Sequence, residues 1–296
     1  MRLDDMVSFP DTLVPIGTVL RSILPSLVVS HEEAGALPMA KVFDLPTVFL
    51  THWFTAAHDI FSQCLNYADK VLFLEEKGLF PEPDAARGRV LYVGPVLRRF
   101  RYHPRDRQRI RDEMSCHPDE KLILVLPGSW TEKMAAFHDL ILRSFDRLSY
   151  PRKRIIWVAA KDHSDIARSV LGRQHIEVVS SDMHIERLMI ASDVAITKGS
   201  YTSSKELQVL GVPSITLSHG LNFMDDFFSK SIRSTTLLWV QETDAVILSA
   251  CIERALNAGL FSTDETAWDG QGAERAAKHL ADFLSSHREL SSNGAT

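Results

Sequence analysis

The sequence predicts an α/β protein with two units, each a parallel sheet covered by helices on both faces. Short apolar, β-branched runs alternate with segments of helical periodicity through most of the chain. Such runs are typical of strands buried on both faces of a parallel sheet. A polar, arginine-rich stretch at 98–118 divides the alternation into two series. We therefore expect domains at 1–97 and 119–271, a linker at 98–118, and a closing helix and tail at 272–296.

The first series of strands and helices runs from residue 26 to residue 93. Its strands are short and apolar and end at polar or turn-forming residues, such as Gly94-Pro95. The predicted strands are Ser26–Ser30, Thr47–Leu50, Lys70–Leu74 and Val90–Val93, and the predicted helices are Ala34–Phe43 and Ala56–Tyr67.

The second series begins at Lys121, after a polar segment, Arg105–Met114, that is predicted to be helical. Gly211 and Pro213 end the helix that follows residue 200. A last helix, Ala273–Leu284, has an apolar side that could pack on either unit. The predicted strands are Lys121–Leu126, Arg154–Ala159, Ile176–Val179, Asp193–Thr197 and Ser214–Leu217, and the predicted helices between them are Ala135–Leu148, Ser164–Val170 and Ile185–Ala191.

Composition limits the classes of function that are open to the chain. Of its 296 residues 45% are hydrophobic and 24% charged, which suffices for a substantial core. The net charge of −5 gives no reason to expect a nucleic-acid partner. Three unclustered cysteines favour a reducing cytoplasm and argue against a disulfide framework or a zinc site. No apolar run reaches the roughly 18 residues of a membrane helix, and the N-terminus lacks a signal-peptide pattern, so we expect a cytoplasmic protein.

Two strand ends carry small and hydroxylated residues. The segment 127–131 (PGSWT) follows one predicted strand and 198–203 (KGSYTS) follows another. Ligands bind at the carboxyl ends of parallel strands, and the free amides of a helix N-terminus suit a phosphate. Glu206, one turn into the helix, could accept hydrogen bonds from a ribose, but ordinary helix capping by Ser, Thr and Glu explains the same residues. The absence of Walker A and GxGxxG patterns disfavours a P-loop nucleotidase or an ordinary NAD enzyme.

Several ordered segments resemble one family. VLYVGPVLRRF, KLILVLPGSWTEK and SSDMHIERLMIASDVAITKGSYTSSKELQVLGVPSITL resemble, in order and spacing, the C-terminal domain of GT-B glycosyltransferases of the MurG type, glycosyltransferase family 28. These enzymes transfer N-acetylglucosamine from UDP to lipid-linked acceptors. The resemblance covers roughly residues 66–245 and implies two Rossmann-like units that face a cleft.

The resemblance implies a donor site in the second unit. Glu206 matches the glutamate that holds the donor ribose. Asp225 and Asp226 lie where the family has a paired-glutamine motif near the donor sugar, so the identity of the donor does not transfer. His219, which follows a strand end, could contact the donor or serve no function. The other matched residues are Ser200, Tyr201, Thr202 and Ser203 around the diphosphate, Gly128 and Ser129 in the first phosphate-side loop, and Asp182 and Met183 beside the base.

The first half resembles the later part of the family's N-terminal, acceptor-side domain. LPSLVVSHEEAGALPMAKVFDLPTVFLTHWF and the following ADKVL match its strands. The family's first strand and glycine-rich acceptor loop have no counterpart, so the resemblance implies an incomplete N-terminal unit. Three explanations are open: the start is internal, a partner subunit supplies the missing part, or the protein is a variant of the family.

Four residues at strand ends of the first unit are candidates for a general base. An inverting transfer needs a group that takes the proton of the acceptor hydroxyl. His31, Glu32, Glu33 and His52 lie at predicted strand ends, and histidine has a suitable pKa. The alternative is that the HEE segment is simply a polar helix start. We expect no metal, because the four residues show no metal-binding spacing and backbone amides can hold the diphosphate.

The arginine-rich stretch has two interpretations. Its basic residues could attract anionic lipid head groups, each contributing about 1 kcal/mol near a membrane. Alternatively the stretch is a solvated linker helix, which the interspersed acidic residues favour. The seven arginines are Arg98, Arg99, Arg101, Arg105, Arg107, Arg109 and Arg111.

Together these observations predict a metal-independent hexosyltransferase. It would move a sugar from a UDP-linked donor, such as UDP-GlcNAc or a UDP-hexose, to a cell-envelope, polysaccharide or lipid-linked acceptor, with inversion and without a cofactor. Two alternatives remain open: a sugar-nucleotide epimerase or hydrolase on the same fold, and a donor-binding subunit that needs a partner polypeptide. Contact with the inner membrane face would be peripheral.

Overall fold

The computed structural model describes residues 9–54, 60–127, 134–159, 166, 169–170, 172–180, 184–218, 230–232, 235–240, 242–260 and 270–293. These residues form two compact units, one of residues 1–97 with 266–296 and the other of residues 98–265. The segment 98–118, which we assigned to a linker, therefore packs within the second unit.

The first unit contains a four-stranded sheet in which all strands are parallel and lie in chain order. Its strands are β1 (Val28–His31), β2 (Thr47–Thr51), β3 (Lys70–Phe73) and β4 (Val90–Tyr92). Its helices are α1 (Phe9–Ile23), α2 (Ala36–Val42), α3 (Ile60–Cys64), which continues into a 3-10 turn at Leu65–Tyr67, and the last helix of the chain, α9 (Gly272–Asn293). Residues 56–59 of the predicted helix Ala56–Tyr67 lie outside the described residues.

The last helix packs on the first unit, which settles the choice that the sequence left open. Ala276 is buried in a cluster with Val48 and Leu72 from the central strands. Leu280 and Phe283, one and two turns further on, pack against the same cluster. The spacing is that of one apolar helix face. The helix thus closes one face of the four-stranded sheet.

The second unit contains a six-stranded parallel sheet. Its strands are β5 (Lys121–Leu126), β6 (Lys153–Ala159), β7 (Ile176–Ser180), β8 (Val194–Thr197), β9 (Ser214–Ser218) and β10 (Thr235–Trp239), in the spatial order β10-β9-β8-β5-β6-β7. Its helices are α4 (Arg107–Glu113), α5 (Met134–Arg147), α6 (Ile185–Ala191), α7 (Tyr201–Val209) and α8 (Ala245–Ala258). The predicted helix Ser164–Val170 lies largely outside the described residues.

Alternate side chains of the central strand enter two separate cores. Ile123 and Val125 of β5 are buried against α5 and α8. Leu122 and Leu124 are buried on the opposite face, against α4 and α6. Burial on both faces explains why this strand is apolar at every position after Lys121.

The strand order reverses direction between β5 and β8. From β5 the chain first builds outward through β6 and β7, and then returns to build β8, β9 and β10 on the other side. Leu126 pairs with Thr197, so the two strands end side by side. In open parallel sheets, ligands bind at the carboxyl ends of the strands at this switch point.

Candidate functional site

The turn between β8 and α7 lies at the switch point of the second sheet. Gly199 has φ +59°, the left-handed conformation that favours glycine, and a Cβ there would meet no atom within 4 Å. Ser200 has extended backbone and is the N-cap of α7, but its hydroxyl makes no capping bond. It donates instead to the Ser203 hydroxyl at 3.1 Å. Side-chain capping therefore does not explain the serines of this turn.

Buried hydroxyl groups support the turn from inside the unit. Thr197 Oγ1 lies 3.2 Å from Ser204 Oγ and 3.0 Å from Thr216 Oγ1. Thr235 Oγ1 continues the chain of hydroxyls at 2.9 Å from Thr216 Oγ1. Lys205, which is also buried, donates to the carbonyl oxygen of Ser231 at 2.8 Å. This network joins three neighbouring strands to the first turns of α7 and fixes where the helix begins.

Glu206 lies deeper in the unit than the sequence suggested. Its residue is only 2% exposed, and both its oxygens accept hydrogen bonds from Arg98. Arg98 Nε donates to Oε1 at 2.7 Å and Nη2 donates to Oε2 at 2.5 Å. Arg98 Nη1 also lies 3.4 Å from Oε2 of Glu186, a second buried carboxylate. The bonds to Glu206 raise the pKa of Arg98 despite the opposing effect of burial.

This arrangement excludes the capping box as an explanation of Glu206. A capping-box glutamate occupies the third helical position, which here is Ser203, and reaches back to the N-cap backbone. Glu206 is three residues further on, and its carboxylate is bound by Arg98. Arg98 and Glu186 are the members of this cluster that sequence reasoning missed. Both are far from Glu206 in the chain, so no local pattern connects them.

Two other arginines of the 98–118 segment, one partly and one fully buried, form ion pairs with Asp193. Arg107 Nη2 donates to Asp193 Oδ1 at 2.7 Å, and Arg111 Nη1 lies 3.2 Å from Asp193 Oδ2. The same Oδ2 accepts from the backbone N–H of Leu122 at 2.7 Å. Burial lowers the pKa of Arg107, and the charge of Asp193 offsets part of that effect. The solvated-linker interpretation is therefore wrong for Arg98, Arg107 and Arg111, because each binds acidic residues of the second unit.

Three of the four base candidates converge at the carboxyl ends of β1 and β2. His31 ends β1, and His52 directly follows β2. Their rings lie 5.3 Å apart between centroids, at an interplanar angle of 80°. His31 Nε2 is 3.9 Å from Glu32 Oε1, and the backbone N–H of His52 donates to the same oxygen at 3.4 Å.

The environment of Glu32 and His31 shifts the pKa values of these two side chains. Burial raises the pKa of Glu32 to about 7, although the hydrogen bond from the His52 backbone opposes the change. Burial lowers the pKa of His31. Near neutral pH the Glu32 carboxyl group can therefore exchange a proton, and the lowered pKa of His31 favours its neutral imidazole.

Glu33 is oriented differently from its neighbours. Its carboxylate accepts a hydrogen bond from the backbone N–H of Gly35 at 3.1 Å, and its carbonyl oxygen accepts from the Ser30 hydroxyl at 2.6 Å. It thus shapes the turn that leads into α2, as the polar-helix-start interpretation proposed for this segment. Glu32, by contrast, has φ +61°, a conformation that is uncommon for a residue other than glycine.

Seven of the predicted donor-side residues lie outside the described residues, and for these the assignments stay predictions. They are Gly128, Ser129, Asp182, Met183, His219, Asp225 and Asp226.

Solved structures identify the class of the fold. The chain superposes on MurG from Acinetobacter baumannii with a TM-score of 0.63 at 12% identity, covering 94% of this chain and 78% of that one. It superposes on the UDP-GlcNAc 2-epimerase of Methanocaldococcus jannaschii, in complex with UDP-GlcNAc and UDP, with a TM-score of 0.62 at 14% identity, covering 92% and 80%. Two parallel α/β units of this kind define the GT-B fold, so the predicted fold class is confirmed.

In sequence the chain is similar to a MurG-type transferase, as its motifs indicated. It is 24% identical over 123 residues to the UDP-N-acetylglucosamine–N-acetylmuramyl-(pentapeptide) pyrophosphoryl-undecaprenol N-acetylglucosamine transferase of Flavobacterium psychrophilum. The match covers 42% of this chain and 33% of that protein, so the chain spans about a third of its curated relative. No protein-family model matches the chain. Among the described residues, no helix combines the length and apolar character needed to cross a membrane.

Proposed function

We propose that the chain is a glycosyltransferase that uses a UDP-linked sugar as donor and a cell-envelope, polysaccharide or lipid-linked glycan as acceptor. The observation that carries the proposal is the turn at residues 198–203. It combines a switch-point position, a left-handed glycine and a helix start without side-chain capping. Such a turn lets a diphosphate approach the first amides of α7 closely.

The named activities of similar proteins support this choice of substrates. The curated relative is named as a transferase of N-acetylglucosamine from its UDP derivative to an undecaprenol-linked acceptor. The archaeal structure with a similar fold was solved with UDP-GlcNAc and UDP. A UDP-sugar is therefore the first donor to test, and the second unit is where we assign its binding.

The reaction would be a single displacement with inversion. The oxygen of an acceptor hydroxyl forms a bond to the anomeric carbon of the donor sugar, and the bond from that carbon to the diphosphate oxygen breaks. UDP leaves with the electron pair, and its negative charge is stabilised by the amides at the start of α7. We assign the acceptor proton to the cluster of His31, Glu32 and His52, in which burial raises the pKa of Glu32 and lowers that of His31.

In this proposal Glu206 serves the donor ribose, which sets a structural condition. The carboxylate is bound by Arg98 and is almost fully buried. A ribose could reach it only if the Arg98 side chain, which is 39% exposed, moves aside or shares the carboxylate. Donor binding should therefore be accompanied by a local rearrangement around Arg98.

The experiment is calorimetric titration of UDP into the full chain, with GDP, dTDP and ADP for comparison. We expect selective binding of UDP, and we expect Glu206→Gln to weaken it by about tenfold or more, since a hydrogen bond to a charged group contributes about 1.5–3 kcal/mol. Glu186→Gln is the matched control, because it removes an equally buried charge that contacts the same arginine. A folded chain that binds none of the four nucleotides would refute the proposal.

An epimerase or hydrolase is the second candidate, and the similarity to the archaeal epimerase favours it. Its TM-score is nearly the same as that of MurG. Incubation with a UDP-sugar alone separates the two activities. A transferase should leave the donor intact without an acceptor, whereas an epimer or free sugar would indicate the alternative. UDP binding without any turnover would instead favour a donor-binding subunit that needs a partner.

A further inference from the structure

The cluster at the ends of β1 and β2 has the composition of a metal site. We infer that His31, Glu32 and His52 bind one divalent transition-metal ion, with Zn²⁺ as the best match to their donor atoms. Zn²⁺ accepts imidazole nitrogen and carboxylate oxygen, and its catalytic sites use three protein ligands and keep a fourth position open. The inference concerns the first unit alone and does not depend on donor binding in the second. An atom that ligates the ion cannot also take a proton, so in the metal-bound chain the acceptor proton would pass to a group other than these three ligand atoms.

The three donor groups already lie close together. One ligand atom from each residue can be chosen so that all three lie within 4.8 Å of one another. In a tetrahedral zinc site with bonds of about 2.0 Å, neighbouring donors are about 3.3 Å apart. Closing the cluster on an ion therefore needs side-chain movements of about 1.5 Å at most for each pair of atoms. Small χ rotations of the half-exposed His31 side chain can shorten the two distances that include His31, and the Glu32 side chain can shorten its distance to His52.

The backbone explains why these three residues converge. β1 and β2 are neighbours in parallel register, with His31 paired to Leu50, so both strands deliver a histidine to the same edge. The backbone N–H of Glu32 donates to the Leu50 carbonyl at 3.1 Å and keeps that residue on the sheet. The left-handed φ of Glu32 then turns its carboxylate toward His52. Backbone conformations of this kind are concentrated at functional sites.

The exposure of the three residues indicates an open site rather than a closed structural one. His52 is buried and Glu32 is partly buried, but the His31 side chain is 55% exposed. An ion bound by the buried His52 and the partly buried Glu32 would therefore remain accessible to solvent on the side of His31. A water or hydroxyl group bound on that side would be acidified. The expectation of a metal-free protein rested on sequence spacing and on backbone amides that could hold the diphosphate. Neither observation bears on a site assembled from two neighbouring strands of the first unit.

The neighbouring Glu33 provides a control that the chain itself supplies. It is adjacent to Glu32 and has the same side chain, but its carboxylate is engaged by the Gly35 amide and is not part of the cluster. Glu33→Gln therefore makes the same chemical change one residue away. If general attraction by carboxylates caused metal binding, the two substitutions would act alike.

The test is a titration of the full chain, stripped with EDTA, with Zn²⁺ by calorimetry and with Co²⁺ by visible absorption. We expect one ion per chain and a Co²⁺ spectrum of low-symmetry coordination with nitrogen ligands. Glu32→Gln and His31→Ala should each weaken binding by about tenfold or more, while Glu33→Gln should not. His52 is buried, and His52→Ala could disturb the fold. His31 is half-exposed, so His31→Ala should leave the fold intact and is the variant to use.

Two results would overturn the inference. One is the absence of stoichiometric Zn²⁺ or Co²⁺ binding by a folded chain, which would leave proton transfer as the only role assigned to these residues. The other is binding that survives both Glu32→Gln and His31→Ala, which would place the ion elsewhere. UDP titration of the same samples keeps the two proposals separate, because loss of metal binding with retained UDP binding rejects only this one.

Discussion

Asp193 offers the sharpest test of how the second unit is held together. Its carboxylate faces Arg107 and Arg111 and accepts the Leu122 amide, so it connects α4, β5 and the start of β8. Asp193→Asn keeps the size of the side chain but removes the charge. Arg111, whose side chain is only 7% exposed, would then be a buried cation without a counter-charge.

The expected loss of stability is about 3 kcal/mol. Removing one partner of a buried ion pair costs about 3–5 kcal/mol. The lower end applies because Arg111 still donates to the carbonyls of Ala191 and Glu120 at 2.8 and 2.6 Å. For a unit of this size, each kcal/mol lowers the melting temperature by about 2–4 °C, so the shift should be about 6–12 °C.

The assay must resolve the two units, because a chain with two compact units need not unfold in a single step. Hydrogen exchange measured on peptides from β5 and β8 reports the local free energy of opening. Asp139→Asn is the control, since Asp139 pairs with Arg143 at 2.8 Å and both side chains are more than 60% exposed. That pair should contribute less than about 1 kcal/mol. If Asp193→Asn lowers the free energy of opening no more than the control does, the network is not a major source of stability.

Three further predictions concern single positions. Gly272→Ala should destabilise the first unit by about 1–3 kcal/mol, because its Cβ would lie within van der Waals overlap of the Pro95 carbonyl; an unchanged melting temperature in calorimetry would contradict this. Gly199→Ala should cost about 1–2 kcal/mol through its left-handed φ and should weaken UDP binding, whereas equal UDP affinity would remove this turn from the donor site. Asp69 is partly buried, which alone would raise its pKa, but Lys41 and the Thr47 amide lower it. Its contribution to stability should thus be present above the usual aspartate pKa and be lost as the pH falls through the lowered value; Asp69→Asn should flatten that part of the curve in acid titrations followed by circular dichroism.

The strands were predictable because buried parallel strands carry a local signal. Every position of β5 after Lys121 is apolar, and each residue has a core to enter. β10 lacks this signal, because as an edge strand it is half-exposed along its length. The helix α1 was missed because Pro15 and Gly17 interrupt its pattern.

The candidate site was predictable only in part, since strand ends are local features and side-chain pairing is not. The sequence placed His31 and His52 at strand ends, and parallel pairing brought them together. It gave no way to separate Glu32 from Glu33, because a left-handed φ at one residue decides which carboxylate joins the histidines. Likewise the partner of Glu206 is Arg98, from a segment whose charge pattern suggested solvent or lipid.

The contact between the start of α9 and the end of β4 has a consequence for the covalent path of the chain. Gly272 lies against the Pro95 carbonyl, and Arg275 Nε donates to the Val93 carbonyl at 2.8 Å. Residues 93–95 and 272–275 of the first unit therefore lie together, so the second unit is an insertion between two neighbouring points of the first. A short loop joining residues 97 and 270 would be long enough to bypass the insertion, and the first unit could be produced as a single circuit of chain.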